Sequence, residues 1–271
     1  MDAGYRVHLA NTAAIVQYSG LKYSDDDSDA AWLAKLLRLG LLPEGYIYPK
    51  EQRAVRDLLR RRSRLVQQHT ANVLAVQNLF SRNRGRSLNA NAIRRLTPEI
   101  VGELLPDAHL ALAVQSTLLA MRGQEAAIDL LEREACAQVR GRPAYRHLLS
   151  TSGIGQVLGL TILLETGPIE RFARVGNYAS YCRLVGSERL SNGKRKGRGN
   201  TKSGNNYLAW AYLEAANFAV RYNPAIKRYY QRKRAKTNGM VAIKTVAHKL
   251  ARACYYMLRE GTDFDVDRAF A

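Results

Sequence analysis

The sequence predicts a mainly α-helical chain with a small α/β portion at its N-terminus. Long stretches repeat apolar residues at the spacing of amphipathic helices, and glycine, proline or asparagine stands at their ends. Only residues 5–9 alternate like a strand, and a short helix is predicted over residues 12–18. Because a single strand needs partners, we expect the sequence to begin inside an α/β domain whose other strands are missing or come from another chain. A loop at residues 5–9 is the alternative.

Composition and charge indicate a folded protein with a polyanionic partner. The 271 residues are 46% hydrophobic, which is enough to build a core. The formal net charge of +19 favours nucleic acid as the partner. An acidic membrane is the competing polyanion, but no apolar run approaches the ~20 residues needed to span a bilayer. Three distant cysteines, five histidines without metal-ligand spacing and no leader pattern argue against disulfides, zinc and secretion, so we expect a cytoplasmic protein.

An acidic cluster precedes the first amphipathic helix, which is predicted from Trp32 and Leu33 onward and ends at Gly40. Asp26 and Asp29 are three residues apart at the helix start and therefore share a face, where they are able to bind a hard cation such as Mg²⁺. The alternative is that these acids cap free backbone N–H groups and suit the helix dipole. Spacing alone leaves both interpretations open.

Two long amphipathic helices are predicted in the middle of the chain. The first begins at Glu51 and the second follows Pro106, and each carries an apolar seam close to a heptad repeat. We expect them to pair antiparallel or to join the same pair of a partner chain. Five arginines lie beside the first seam, either as a solvated face or as a stripe facing nucleic acid: Arg56, Arg60, Arg61, Arg62 and Arg64.

The stretch that follows residues 141–143, a predicted domain boundary, carries a glycine-rich turn between two apolar helical runs. Ser152, Gly153 and Gly155 belong to this turn, which predicts a helix-hairpin-helix. Glycine lets the backbone turn so that amides at a helix N-terminus face a phosphate. The three residues are therefore candidates for nucleic-acid binding.

A basic segment without acids runs from Ser191 to Lys202, and we interpret it as a glycine-broken loop. Its serine stands before Asn192-Gly193, and a serine among cations is able to attack a phosphodiester. The alternative is an ordinary surface serine in a turn, and Ser187 is a nearby rival. The cations are candidates for nucleic-acid binding: Lys194, Arg195, Lys196, Arg198 and Lys202.

Three further helices are predicted at residues 207–222, 225–236 and 241–259. Residues 181–260 hold 18 lysines and arginines against three acids, so the positive charge is concentrated here. Tyr229 and Tyr230 lie among these cations. Their rings are suited either to stacking on bases or to packing between helices.

Three blocks in this order resemble the DEDD transposases of the insertion-sequence 110 family, RNA-guided DNA recombinases of bacterial mobile elements. The blocks are the one with Asp26, Asp29 and Ala30, the arginine-rich helix over residues 55–79, and the C-terminal block SGIGQ … YASYCRLVG … SNGKRKGRGNTKSGNNYL. The resemblance covers nearly the whole chain. It implies part of a RuvC-like domain of RNase H fold at residues 1–48, a coiled coil at 49–140, and a helical transposase domain with the helix-hairpin-helix and the serine at 141–271.

The resemblance also implies the site and its partners. Asp26 and Asp29 match the third and fourth metal-binding acids, Ser191 matches the nucleophile, and Mg²⁺ is the implied metal. The first aspartate and the glutamate of the family pattern have no counterpart, so we expect an N-terminally truncated protein. DNA, a structured guide RNA, a second copy joined through the coiled coil and a place near the bacterial nucleoid are implied. The alternative functions are a catalytically inactive remnant that only binds nucleic acid and, less favoured, a helix-hairpin-helix repair enzyme.

Overall fold

The structure is a computed structural model that describes residues 4–15, 25–186, 188–191, 194–198 and 203–270. It is mainly helical, as predicted. Packing divides the chain into two units, residues 1–50 and residues 51–271. The predicted middle and C-terminal regions both fall in the second unit.

In the first unit, the strand predicted at residues 5–9 is absent from the described residues. The segment is joined to a later loop by one isolated bridge between Ala10 and Glu44, beside backbone hydrogen bonds from Asn11 N–H to the Pro43 carbonyl and from Gly45 N–H to the Leu9 carbonyl. One bridge does not make a ladder, because a strand needs repeated pairing along its length. The strand prediction was wrong, and the described part of the helix predicted at residues 12–18 is a single 3₁₀ turn, Thr12–Ala14.

Helix α1, Asp26–Arg38, begins at the acidic cluster. Asp25 is its N-cap: Oδ1 of Asp25 accepts a hydrogen bond from Ser28 N–H at 2.8 Å, and Asp25 N–H donates to Ser28 Oγ at 3.1 Å. This reciprocal pair is a capping box. The helix stops just before Gly40, whose φ of +67° suits glycine, so the predicted end is confirmed.

Two long helices, α2 (Lys50–Arg84) and α5 (Ala108–Ala137), pair antiparallel at the start of the second unit. The direction follows from three contacts: Arg62 bonds to Glu132, His69 to Glu125 and Asn72 to Gln124. The short helices α3 (Ala90–Arg94) and α4 (Pro98–Leu104) pack at the far end, around a core that includes Phe80 and Val101. The antiparallel prediction is confirmed within one chain.

The rest of the second unit is a bundle of seven helices among the described residues, packed around one core. Their bounds are α6 Pro143–Leu149, α7 Gln156–Thr166, α8 Val175–Tyr181, α9 Asn206–Tyr222, α10 Pro224–Lys236, α11 Gly239–Glu260 and α12 Val266–Phe270. Helices α9, α10 and α11 each begin after an asparagine whose side-chain oxygen accepts backbone N–H bonds, namely Asn205, Asn223 and Asn238. The three predicted C-terminal helices are therefore confirmed to within two residues.

An antiparallel hairpin occupies the segment interpreted from the sequence as a loop. Strand β1, Glu188–Ser191, pairs with β2, Lys194–Arg198, with Ser191 opposite Lys194 and an irregularity between Arg189 and Leu190. The loop interpretation was wrong. The overlooked signal is the Asn192-Gly193 pair between the strands, because Asn-Gly is the dipeptide most typical of tight hairpin turns.

Candidate nucleic-acid interface

The turn between α6 and α7 lies directly on helix α9. Gly153 has φ +88°, and a Cβ atom at this position would lie 2.2 Å from the Ala215 carbonyl oxygen and 2.7 Å from the Ala219 nitrogen. Only glycine accommodates both the backbone angle and this close approach. Gly153 therefore sets the turn against α9, and its role in binding phosphate stays a prediction.

The two flanking residues differ in what they contact. Ser152 Oγ accepts a hydrogen bond from the Asn223 side-chain amide at 2.9 Å, which ties the turn to the start of α10. Gly155 is exposed and is the N-cap of α7, which has no side-chain capping bond. Open backbone N–H groups at a helix N-terminus suit an anion. Of the three predicted turn residues, Gly155 has the geometry that best fits an approaching phosphate.

The segments on either side of the β1–β2 hairpin are hydrogen-bonded to each other, and we call residues 181–183 and 204–205 the anchored base. Asn205 N–H donates to the Tyr181 carbonyl at 2.6 Å, and Arg183 Nε donates to the Gly204 carbonyl at 3.1 Å. Gly204 has φ +95°, and a Cβ there would lie 2.5 Å from the Tyr181 carbonyl oxygen. Arg183 itself has φ +57°, a conformation that costs about 1 kcal/mol or more for a non-glycine residue. The residues on either side of the basic segment, 181–183 and 204–205, are thus held beside each other.

The backbone of the hairpin gives the position of Ser191, the predicted nucleophile, at the end of β1. Ser191 ends β1 and pairs with Lys194, whose side chain is exposed. Arg195, Lys196 and Arg198 belong to β2. Ser187 and Lys202 lie outside the described residues. The structure thus brings Ser191 and four of the five predicted cations into one hairpin.

A buried carboxylate that sequence reasoning missed lies below this base. Glu165 in α7 is 1% exposed, and its two oxygens accept hydrogen bonds from Arg60 Nε at 2.7 Å and Arg60 Nη2 at 2.9 Å. Asn205 Nδ2 also donates to Glu165, at 2.7 Å. The Arg60 guanidinium lies 4.8 Å from the centre of the Tyr207 ring. This junction joins α2, α7 and the start of α9.

The junction also corrects one interpretation of the arginine cluster. Arg60 is half-buried and its guanidinium is bound to Glu165, which raises the pKa of Arg60, so it is an ion-pair partner inside the fold rather than a free cation on a nucleic-acid stripe. Arg62 bonds to Glu132. Arg61 and Arg64 are exposed and keep both interpretations open. A glutamate within the apolar run of α7 is the one sequence signal of such a buried pair.

Helices α10 and α11 present a cationic surface. The pKa of Lys249 is lowered, first by burial and then by the charges of Lys233, Arg252 and Arg232. Tyr229 is 8% exposed and packs edge-on against Phe270 at 5.4 Å, so of its two predicted roles the structure favours packing. The burial of Tyr229 also raises its pKa.

The predicted metal ligands lie in the first turn of α1. Asp26 is exposed and Asp29 is half-buried, while Asp25 takes the capping role. Within the described residues no group of three or more histidines, cysteines, aspartates or glutamates is arranged to hold a metal ion. The two carboxylates of Asp26 and Asp29 would leave most of the octahedral coordination of Mg²⁺ to other oxygen ligands.

Comparisons with known proteins match this chain to transposases. Residues 145–231 match the family described as "Transposase IS116/IS110/IS902 family". The chain is 28% identical over 229 residues to a "Probable family 20 transposase" of Pseudomonas aeruginosa, a match that covers 78% of this chain and 65% of that protein. It is 26% identical over 155 residues to the "Insertion element IS110 uncharacterized 43.6 kDa protein" of Streptomyces coelicolor, covering 56% and 37%.

The matched stretch runs from α6 into α10 and contains the glycine turn, Glu165 and the whole hairpin. The chain spans less than two thirds of the length of these two relatives. No helix in the described part of the chain has the length and apolarity needed to cross a membrane. Through residues 145–231 this chain is similar to the IS116/IS110/IS902 family of transposases, and these matches support the resemblance predicted from the sequence.

Proposed function

We propose that this chain acts in DNA transposition and that the β1–β2 hairpin carries the strand-exchange chemistry, with Ser191 as the nucleophile. The observation that carries the proposal is the place of the hairpin. It lies inside the stretch that matches the transposase family, and its register sets Ser191 opposite an exposed lysine. The sequence resemblance and the position of Ser191 beside an exposed lysine both support this choice of nucleophile.

The proposed step is a displacement at phosphorus. The Ser191 oxygen attacks a DNA phosphate, the bond from phosphorus to one deoxyribose oxygen breaks, and that oxygen leaves as a hydroxyl. The serine proton passes to solvent and the departing oxygen takes a proton from solvent, so the protons balance. The covalent protein–DNA ester keeps the phosphate activated, so attack by another hydroxyl reverses the step on a new partner strand.

The cations of the hairpin would stabilise the charge that develops on the phosphate oxygens. Lys194 is exposed beside Ser191, and Arg195 and Arg198 follow on β2. Donors that are already in place before the reaction are the most effective form of such stabilisation. The pairing of β1 with β2 supports this role because it keeps these cations on the strand that faces Ser191.

We extend the proposal to the partners implied by the resemblance. DNA is the substrate and a structured guide RNA is a second ligand, since both are polyanions suited to a chain of net charge +19. A second copy joined through α2 and α5 remains part of the proposal. A magnesium site at Asp26 and Asp29 requires further oxygen ligands from outside the described residues.

A second candidate function is nucleic-acid binding without cleavage. It is favoured by the acidic cluster of α1, where Asp25 serves as a helix cap and the acids of the first turn, Asp26, Asp27 and Asp29, come from one short segment. A chain of this kind would keep its salt-dependent affinity for DNA. It would form no covalent ester.

The two candidates are separated by a covalent-adduct assay. The protein is incubated with end-labelled DNA carrying the element termini, guide RNA and Mg²⁺, and is then run on a denaturing gel. The first proposal expects a labelled protein band that is abolished by Ser191→Ala and retained in Ser187→Ala. An adduct that is lost only in Ser187→Ala would identify Ser187 as the nucleophile instead of Ser191. DNA binding with no adduct under any condition would favour the second function.

A further inference from the structure

The outer face of helix α11 carries an exposed aromatic ring between two cavities. One cavity, of about 410 Å³, lies between α11 and residues 262–269. The other, of about 510 Å³, lies between the C-terminal end of α11 and residues 173–175. Tyr256 lines both cavities and is 38% exposed. We call Tyr256 and the cations around it the Tyr256 surface.

The ring of Tyr256 is held in place by its neighbours. It packs edge-on against Tyr255, with ring centres 5.3 Å apart and planes at 82°. Tyr255 is 2% exposed and donates a hydrogen bond to the Phe172 carbonyl at 3.0 Å. Arg259 donates to the Tyr255 hydroxyl and to the Ala173 carbonyl. The exposed ring is therefore preorganised by a buried, anchored one.

Cations border the ring on both sides. Lys249 and Arg252 line the first cavity, and Arg174 and Arg259 line the second. Arg252 is exposed one helical turn before Tyr256. Burial lowers the pKa of Lys249, and the nearby charges of Lys233, Arg252 and Arg232 lower it further. An anion bound at this surface would relieve the repulsion between these charges.

The carboxylates at the rim of the surface already have partners. Asp263 contacts His147 at 2.7 Å, and Asp265 accepts the backbone N–H bonds that start α12. Glu260 pairs with Arg268 at 3.2 Å. Among the described residues that line the two cavities, these three carboxylates face five cations, so the lining is net positive: Lys249, Arg252, Arg268, Arg174 and Arg259.

We propose that the Tyr256 surface binds an unpaired nucleotide, with its base stacked on Tyr256 and the adjoining phosphates near Arg252 and Arg174. An aromatic platform flanked by cations is the chemistry that recognises single-stranded nucleic acid, because an unpaired base offers its open face to the ring. A duplex keeps its base faces stacked on each other. The inference rests on the proposed nucleic-acid function but concerns a site other than the hairpin.

A displaced DNA strand and an RNA loop offer the same unpaired nucleotide, so the test has two arms. Fluorescence anisotropy measures the binding of a labelled thymidine oligomer, a labelled uridine oligomer and a DNA duplex of equal phosphate count. Tyr256→Ala is expected to weaken binding of at least one single strand about tenfold or more. Tyr256→Phe should keep most of that affinity, and duplex binding should change less than twofold.

The matched control is Tyr222→Ala on α9, since Tyr222 is also an exposed tyrosine, at 71%. It should leave the affinity for both single strands unchanged, and circular dichroism confirms that each variant is folded. Wild-type affinity of Tyr256→Ala for both single strands overturns the inference. So does an equal loss for single strands and duplex. Loss of the Ser191 adduct is read in a separate assay, so each proposal fails by its own measurement.

Discussion

Two regions of the second unit use arginine in opposite ways. At the junction of α2, α7 and α9, Arg60 is bound by both oxygens of the buried Glu165. The positive charge of Arg60 is therefore balanced within the fold. On α10 and α11 several cations lie near one another, and burial, followed by the charges of Lys233, Arg252 and Arg232, lowers the pKa of Lys249. The comparison shows that the basic residues of one chain do not all lie on a surface that binds nucleic acid. Whether a carboxylate lies within reach decides which cations stabilise the fold and which are available to a polyanion.

The sharpest way to break this comparison is to remove the buried acid. Glu165→Ala leaves Arg60 without its carboxylate, and we expect a loss of about 3 kcal/mol in the free energy of unfolding, because breaking a buried pair strands a charge. Because Arg60 is partly exposed to solvent, the expected loss lies at the low end of the values typical for breaking a buried ion pair. Urea denaturation measures it. Glu134→Ala, at an exposed position of α5, is the matched control and should cost less than about 0.5 kcal/mol. Equal losses in the two variants would contradict the structural role of the junction.

A second prediction tests the glycine that sets the turn on α9. Gly153→Ala combines a positive φ with a clash against helix backbone, so a loss of about 2–3 kcal/mol is expected. Gly123→Ala in the open interior of α5 should instead stabilise by about 1 kcal/mol, since alanine is the better helix former. Thermal denaturation compares both with the wild type. A neutral Gly153→Ala would show that the turn does not need this close approach to α9.

The third prediction concerns the cations of α10. Arg232→Gln and Lys233→Gln should leave stability nearly unchanged. Each is expected to reduce the slope of log affinity against log salt by about 0.9 on duplex DNA for each phosphate that the replaced side chain neutralises. Binding titrations at several salt concentrations measure the slope. Arg84→Gln at the far end of α2 serves as the control. If the control lowers the slope as much as the α10 variants, the charge of the chain acts only as a whole.

The smallest effect is a pH dependence on the cationic surface. Burial, and then the charge of Arg252, lowers the pKa of His248. The unfolded histidine, with a pKa of about 6.5, binds its proton first as pH falls, so stability declines from there towards the lower folded-state pKa. His248→Gln should flatten this decline in unfolding experiments between about pH 8 and pH 5. A variant with an unchanged pH profile would show that His248 does not contribute.

Much of the candidate site followed from local sequence. The turn at Ser152–Gly155, the helix starting near Tyr207 and the basic segment after Ser191 were all predicted at the positions where the structure has them. The hairpin form of the basic segment was not predicted, because its glycines and cations were interpreted as a loop and the Asn192-Gly193 turn signal between the two strands was overlooked. The strand at residues 5–9 failed for the opposite reason, since an alternating pattern describes a strand only where a neighbour continues the ladder.

The sequence by itself determined the helices, their asparagine caps, the excess of basic residues and the transposase resemblance, because these depend on neighbours within a few positions or on composition. Only the tertiary structure decided which groups are buried together. Arg60 meets Glu165 across 105 residues, Gly153 meets the backbone of α9, and Tyr229 is buried while Tyr256 is exposed. Burial depends on which distant faces pack against each other, and no local pattern distinguishes a cation that will find a buried carboxylate from one that will remain at the surface.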